Sequence, residues 1–218
     1  MANSQIANSK KTMYTFDHGL FLWLNFDGGS VVDAIMKTIS GVIMWIPLYL
    51  FIVGFVWYKR GWRSAIAFLV CIALALGLSD IISGIFKHQG LLKNLWPSFP
   101  VRHRPMFSSA VRDLAHVVSY KHGPYGTVSA HAATIVALAW ISALAIRKKW
   151  YNWVIAMAVI LICYSRIYLA CHFPMDILLG AFVGTIAGLL MFFLWKKLDI
   201  LLQKTTFAPE LGEKTKTR

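Results

Sequence analysis

Five stretches of the chain are long, apolar and almost free of charge: Ala34 to Tyr58, Ser64 to Phe86, Ser129 to Ile146, Trp153 to Cys171, and Pro174 to Trp195. A helix needs roughly 20 mostly apolar residues to cross about 30 Å of hydrocarbon, and each stretch is near that length. All five read as transmembrane helices, so the expected fold is all-α, an integral membrane bundle. The composition agrees. With 58% hydrophobic and 14% charged residues, the 218-residue chain carries more apolar surface than one soluble core needs.

Residues 1–12 are polar and basic, with neither a signal-type apolar core nor a small-residue cleavage site after them, so no secretory signal is expected. The stretch from Phe16 to Phe26 is apolar but too short to span. Its Phe16, Leu20, Leu22, Trp23 and Phe26 suggest a short helix at the membrane interface; a cap on the aqueous end of the bundle is equally allowed.

A formal charge of +13 raises the question of nucleic acid, but the cations sit where a membrane protein places them. Lys59, Arg60 and Arg63 lie between the first two spans, Arg147, Lys148 and Lys149 between the third and fourth, and Lys196 and Lys197 after the fifth. The positive-inside bias assigns these three groups to the cytoplasm, and Trp57, Tyr58, Trp62, Trp150, Tyr151 and Trp195 form an aromatic belt at the same face. Segment 87–128 then lies outside, although it carries Lys87, Lys93, Arg102, Arg104, Arg112 and Lys121. Either the topology is inverted or those cations serve a ligand.

Ionisable residues at membrane depth are costly and are by default a functional-site hypothesis. Here the topology gathers them. Lys87 ends the second span, Ser129 and His131 open the third, and His172 and Asp176 open the fifth, all at one face. Arg104 on the long loop and Arg166 near the end of the fourth span can join them. Three cations around one point call for a polyanion, of which tetrahedral phosphate is the commonest, and the helix starts at Ser129 and Pro174 would add N–H donors. Taken singly, each residue has a plainer role: Ser129 as an N-cap, Asp176 as first-turn dipole compensation, Arg166 as a snorkelling side chain.

In order along the chain these residues resemble the type 2 phosphatidic acid phosphatases, membrane relatives of the vanadium haloperoxidases. Ser165-Arg166, His172 and Asp176 match the family's third motif at every defining position. The second motif keeps Ser129 and His131, with Val128 and Ala130 replacing its proline and glycine. In the first motif Arg104-Pro105 is present, but the family's lysine position falls on Pro97; Lys87, with about ten residues inserted, is the preferred equivalent and Lys93 the fallback. The resemblance covers roughly residues 30–195. It implies that His172 attacks phosphorus to give a phosphohistidine, that Asp176 orients the imidazole, and that His131 serves as general acid and then base. It also implies that Lys87, Arg104, Ser129 and Arg166 hold the phosphate oxygens, that the Ala130 backbone lies close to them, and that no metal or other cofactor takes part.

A site in the membrane argues for a lipid phosphate. The resemblance offers undecaprenyl diphosphate, phosphatidylglycerophosphate, phosphatidic acid and lipid A; loop 88–103, enlarged, apolar and stiffened by prolines, is the region expected to choose the headgroup. The expected organisation is an N-terminal tail and interfacial helix (1–30), a membrane phosphatase domain (31–197) with active-site loop 87–128, and a polar cytoplasmic tail (198–218), in a bacterial inner membrane with the site on the extracytoplasmic face. A non-catalytic lipid-phosphate carrier could use the same cations, and a haloperoxidase the same cage for vanadate. Cys71, Cys163 and Cys171 fall in expected spans and imply no disulfide framework. Asp80, two turns before Lys87, is expected to orient that lysine or the loop base, with a structural hydrogen bond between helices as the competing role. His18, His88, His103, His116 and His122 match no motif and are read as surface or loop residues, although His116 and His122 could touch a headgroup.

Overall fold

Seven helices carry the residues described by the computed structural model, which are 15–86, 102–118 and 123–213, with side chains through residue 204. They are α1 (15–24), α2 (Gly29–Ser40), α3 (Ile46–Arg60), α4 (Trp62–Ile85), α5 (Ala130–Ile146), α6 (Lys149–Tyr168) and α7 (Pro174–Glu213). Lys87, Lys93 and most of loop 88–103 lie outside the described residues. So does the expected pairing of Asp80 with Lys87.

The expected first span, Ala34 to Tyr58, is two helices and not one. α2 ends at Ser40, Gly41 is extended at φ −81 and ψ 148, and a 3-10 turn over Ile43–Trp45 leads into α3. Pro47, in the first turn of α3, explains the restart: its ring fits a helix start and cannot continue one from upstream. The Trp45 indole N–H caps the break by donating to the Ile39 carbonyl at 2.8 Å. Four helical segments are long and apolar enough to cross a membrane, Ile43–Arg60, Trp62–Ile85, Lys149–Tyr168 and Pro174–Lys204, and Ala130–Ile146 is a shorter apolar helix. These four and the shorter apolar helix make up the bundle, and the chain is a multi-pass membrane protein.

α5 is the central helix. Ala132, Ala133, Ile135, Val136, Ala137, Leu138 and Ile141 are all buried on it, as expected for a helix that is apolar all round. It packs against α7, α4 and α6. The closeness to α7 comes from Gly180, Gly184 and Gly188, spaced four apart on one face: added methyl groups there would overlap the carbonyls of Ser129, Ala133 and Ala137. Small residues at this spacing let two backbones approach, which is how membrane helices gain packing without a hydrophobic driving force. The stripe holds the start of α7 against the start of α5.

α1 caps the site end of the bundle. Phe21 is fully buried, packing edge-on to Phe173 at 5.2 Å, while Phe16 and Trp23 are exposed. Asn25 locks it down: its side-chain N–H group donates to the carbonyls of Tyr168 at 2.7 Å and His116 at 3.1 Å, and its oxygen accepts from the His116 N–H at 2.8 Å. At the opposite end the fifth span does not stop at Trp195. α7 continues to Glu213, and Asp199, buried, accepts from Ser64 Oγ at 2.6 Å and pairs with Arg60 at 3.3 Å. The segment from 198 is thus helical, and its first turn belongs to the bundle.

Candidate active site

The chain enters the site through an unusual turn. After α6, Ala170 adopts a left-handed φ of 53°, a conformation non-glycine residues rarely take, and the N–H groups of Cys171 and His172 both donate to the Arg166 carbonyl, at 3.0 and 3.3 Å. This reversal delivers His172, 1% exposed, to the start of α7. Its Nδ1 lies 3.0 Å from the Gly126 carbonyl, so Nδ1 carries the proton and donates. Nε2 is then the lone-pair nitrogen, and it accepts from Arg104 Nη1 at 3.2 Å. Asp176 was expected to orient this imidazole. It stands 3.6 Å from Nδ1, beyond hydrogen-bond distance, and the acceptor within that distance is Gly126.

Gly126 is a position where only glycine fits: a Cβ would lie 2.7 Å from Arg104 Cγ and 3.3 Å from His172 Nδ1. Its segment pairs with the loop carrying Arg104. The Arg104 N–H donates to the Pro124 carbonyl at 2.8 Å, the Gly126 N–H to the Arg102 carbonyl at 2.9 Å, and His103 forms an antiparallel bridge with Tyr125. In extended backbone, alternate residues share a side, so Arg102 and Arg104 turn inward while exposed His103 stacks on the Tyr125 ring.

Arg104 is nearly buried, and Nη1 also donates to the Cys171 carbonyl at 3.1 Å. Its buried Nε has no hydrogen-bond partner among the described residues. Burial pulls its guanidinium down from the ordinary value, with the Cys171 thiol opposing. A desolvated cation with an unused donor gains by receiving an anion. Arg166, also buried, donates from Nη1 to Ser40 Oγ at the end of α2. These groups line one cavity of about 460 Å³, with Arg104, Arg166, His172, His131 and Ala130 around its polar part together with Ser40 and Asp80. Val42, Trp45, Tyr49, Leu76, Leu138 and Ile162 form its apolar wall.

Ser129 and Asp176 were expected to face phosphate and imidazole, but neither lines this cavity. Ser129 caps α5, its hydroxyl oxygen accepting from the Ala132 N–H at 3.4 Å, and its own N–H donates to the Asp176 carbonyl at 3.0 Å. Asp176 sits fully buried in the first turn of α7 and accepts from the Phe173 N–H at 2.9 Å. The neighbouring Met175 N–H is taken by Asp17 at 3.0 Å. The start of α7 therefore spends these two donors on carboxylates within the protein, correcting the expectation that it offers them to a phosphate. Arg102, read from the sequence only as one of several cations in segment 87–128, is the residue whose role went unrecognised. It bridges Asp17 and Asp176, and its alternation with Arg104 was the available signal. His116, read as a loop residue, is tied to Asp33 at 2.9 Å, and that contact together with the Tyr168 hydroxyl holds the Asp33 carboxyl below its usual value.

Cys171, next to His172 in the chain, is 1% exposed, and burial pushes its thiol up against the pull of Arg166 and Arg104. A raised thiol is protonated at neutral pH and unreactive. N-ethylmaleimide followed by peptide mass spectrometry is expected to leave Cys171 unmodified in the native protein and label it after denaturation. Rapid native labelling would mean the site is open to solvent at its base.

The sequence profile of the PAP2 superfamily matches residues 67–199. A lipid A 4'-phosphatase of Bacteroides thetaiotaomicron is 30% identical over 197 residues, spanning 90% of this chain and 84% of that protein. One of Porphyromonas gingivalis is 31% identical over 172 residues, spanning 79% and 70%. Among solved structures, LpxE of Aquifex aeolicus superposes with a TM-score of 0.56 at 20% identity, covering 79% of this chain and 92% of that one. A PAP2-type phosphatidylglycerolphosphate phosphatase from Bacillus subtilis superposes at 0.57 and 20%, covering 86% of each. Sequence and fold converge: the chain belongs to the PAP2 superfamily and is a membrane-embedded lipid phosphatase.

Proposed function

We propose that the chain removes a phosphate monoester from a lipid A-class glycolipid, at the extracytoplasmic face of a bacterial inner membrane. The observation that carries the catalytic reading is the His172 tautomer: Gly126 fixes the proton on Nδ1 and turns the Nε2 lone pair towards Arg104, in a cavity that His131 and Arg166 also line. Phosphate entering there takes over Arg104 as a donor and uncovers the nucleophile. Nε2 attacks phosphorus, the bond to the lipid oxygen breaks, and His131 gives that oxygen a proton. His131 then takes a proton from water, water attacks phosphorus, and the N–P bond breaks. Arg104, Arg166 and Lys87 carry the charge of the equatorial oxygens. Asp176 supports the cationic imidazole from 3.6 Å, Ser129 sets the first turn of α5, and Ala130 borders the phosphate.

The apolar cavity wall supports a lipid substrate, and the two relatives named as lipid A 4'-phosphatases favour that class over diphosphates. The face is supported by Lys59, Arg60, Arg147 and Lys148, which gather around a hollow with Trp195 at the other end of the bundle, where the positive-inside bias places the cytoplasm. The test is phosphate release by detergent-purified protein in EDTA from lipid A, phosphatidic acid, phosphatidylglycerophosphate and undecaprenyl diphosphate in mixed micelles. Turnover in EDTA is expected because arginines supply the charge neutralisation, and lipid A should give the highest kcat/KM, as the two lipid A 4'-phosphatase relatives suggest. Preference for undecaprenyl diphosphate would overturn the substrate class, and binding without release would make the site a carrier's.

A further inference from the structure

We propose that Arg102 is a positioning residue of this active site, and that with Asp17 of α1 it holds in place both groups that face His172 Nδ1. The inference rests on the reading of His172 as nucleophile.

The guanidinium is engaged on three sides. One nitrogen pairs with the Asp17 carboxylate, the other lies 3.3 Å from Asp176 Oδ1, and the plane covers the Phe173 ring at 4.1 Å. Its backbone is pinned as well, the N–H donating to Thr127 Oγ1 at 3.1 Å and the carbonyl accepting from the Gly126 N–H at 2.9 Å. Gly126 is the acceptor of the His172 Nδ1 proton, and Asp176 is the carboxylate beside it. One residue thus grips the first through its main chain and the second through its side chain.

The energetics make the grip necessary. Asp176 is fully buried and Asp17 is 2% exposed, and Arg102 pairs with both. Removing the partner of buried charges leaves them uncompensated, which costs far more than an exposed pair is worth. The Asp17 carboxylate meanwhile caps Met175 in the first turn of α7. Helix α1 therefore helps to position the site, although it contributes no side chain to the cavity lining.

The test is a double-mutant cycle on the full-length protein with lipid A in mixed micelles, using Arg102→Gln, Asp176→Asn and the pair, together with Arg102→Lys, Asp17→Asn and His172→Ala. Arg102→Gln is expected to lower kcat by about 10- to 100-fold with KM changed less than about twofold, the pattern of a lost transition-state interaction. Arg102→Lys should recover part of kcat, and Asp17→Asn should fall in the same direction. In the Asp176→Asn background, Arg102→Gln should cost little more, since the two act as one unit. An additive cycle, or a rise in KM at constant kcat, would overturn the inference and make Arg102 a structural or substrate-binding residue. If Arg102→Gln does not fold, Arg102→Lys and Asp17→Asn decide: wild-type kcat in both would sink the idea. Turnover by His172→Ala would instead sink the underlying reading.

Discussion

His172→Ala is expected to lose phosphate release from lipid A by on the order of 10⁶-fold, the scale on which removing a covalent nucleophile acts. Binding should survive, because Arg104, Arg166 and His131 still line the cavity and the imidazole's main contacts are to Arg104 and Gly126. His131→Ala separates the two chemical steps. With p-nitrophenyl phosphate, whose phenolate leaves without a proton, the variant should still form the phosphoenzyme and then stall, because water activation needs the same base. Quenched samples should contain one acid-labile phosphate per chain, and tandem mass spectrometry should place it on His172. If His172→Ala keeps a tenth of wild-type turnover, or the label sits elsewhere, His172 is not the nucleophile and the cavity is a binding cage.

That prediction was available from the sequence in outline. Ser165-Arg166, His172 and Asp176 are so spaced that only their mutual geometry remained open. What sequence could not give was which atom orients His172. The spacing of His172 and Asp176 puts them on one helical face, but His172 precedes α7, and the turn at Ala170 swings its ring to the Gly126 carbonyl. Arg102 went unread because its partners, Asp17 and Asp176, are remote in the chain, and only the pairing of 102–104 with 124–126 aims it at them. The break at Gly41 was hidden for another reason: apolarity persists through it, so a hydropathy argument sees one helix where Gly41 and Pro47 dictate two. Asp199 misled in the opposite sense, since a carboxylate after Lys196 and Lys197 reads as polar tail until Ser64 and Arg60 are placed beside it.

The stripe of Gly180, Gly184 and Gly188 went unread in the sequence because only the fold shows what it packs against, and the second large effect lies there. Gly184→Leu is expected to abolish recovery of folded protein from detergent extracts. A side chain at this position runs into the Ala133 carbonyl, and because both partners are backbone, relief requires the helices to separate. Separation would uncover the buried contacts of the central helix and loosen the start of α5, where the Ser129 N–H is held by the Asp176 carbonyl. Overpacking a close interface costs about 1–3 kcal/mol even for a methylene or two, so Gly184→Ala should fold but melt markedly lower, with kcat reduced because the same stripe aligns His131 with His172. Gly77→Ala on α4, where an added methyl meets nothing within 4 Å, is the control and should melt like wild type. Monodispersity by size-exclusion chromatography and melting by intrinsic tryptophan fluorescence would decide it: equal behaviour of Gly184→Ala and Gly77→Ala would mean that α5 and α7 do not need this approach, and that the alignment of the two histidines has another source.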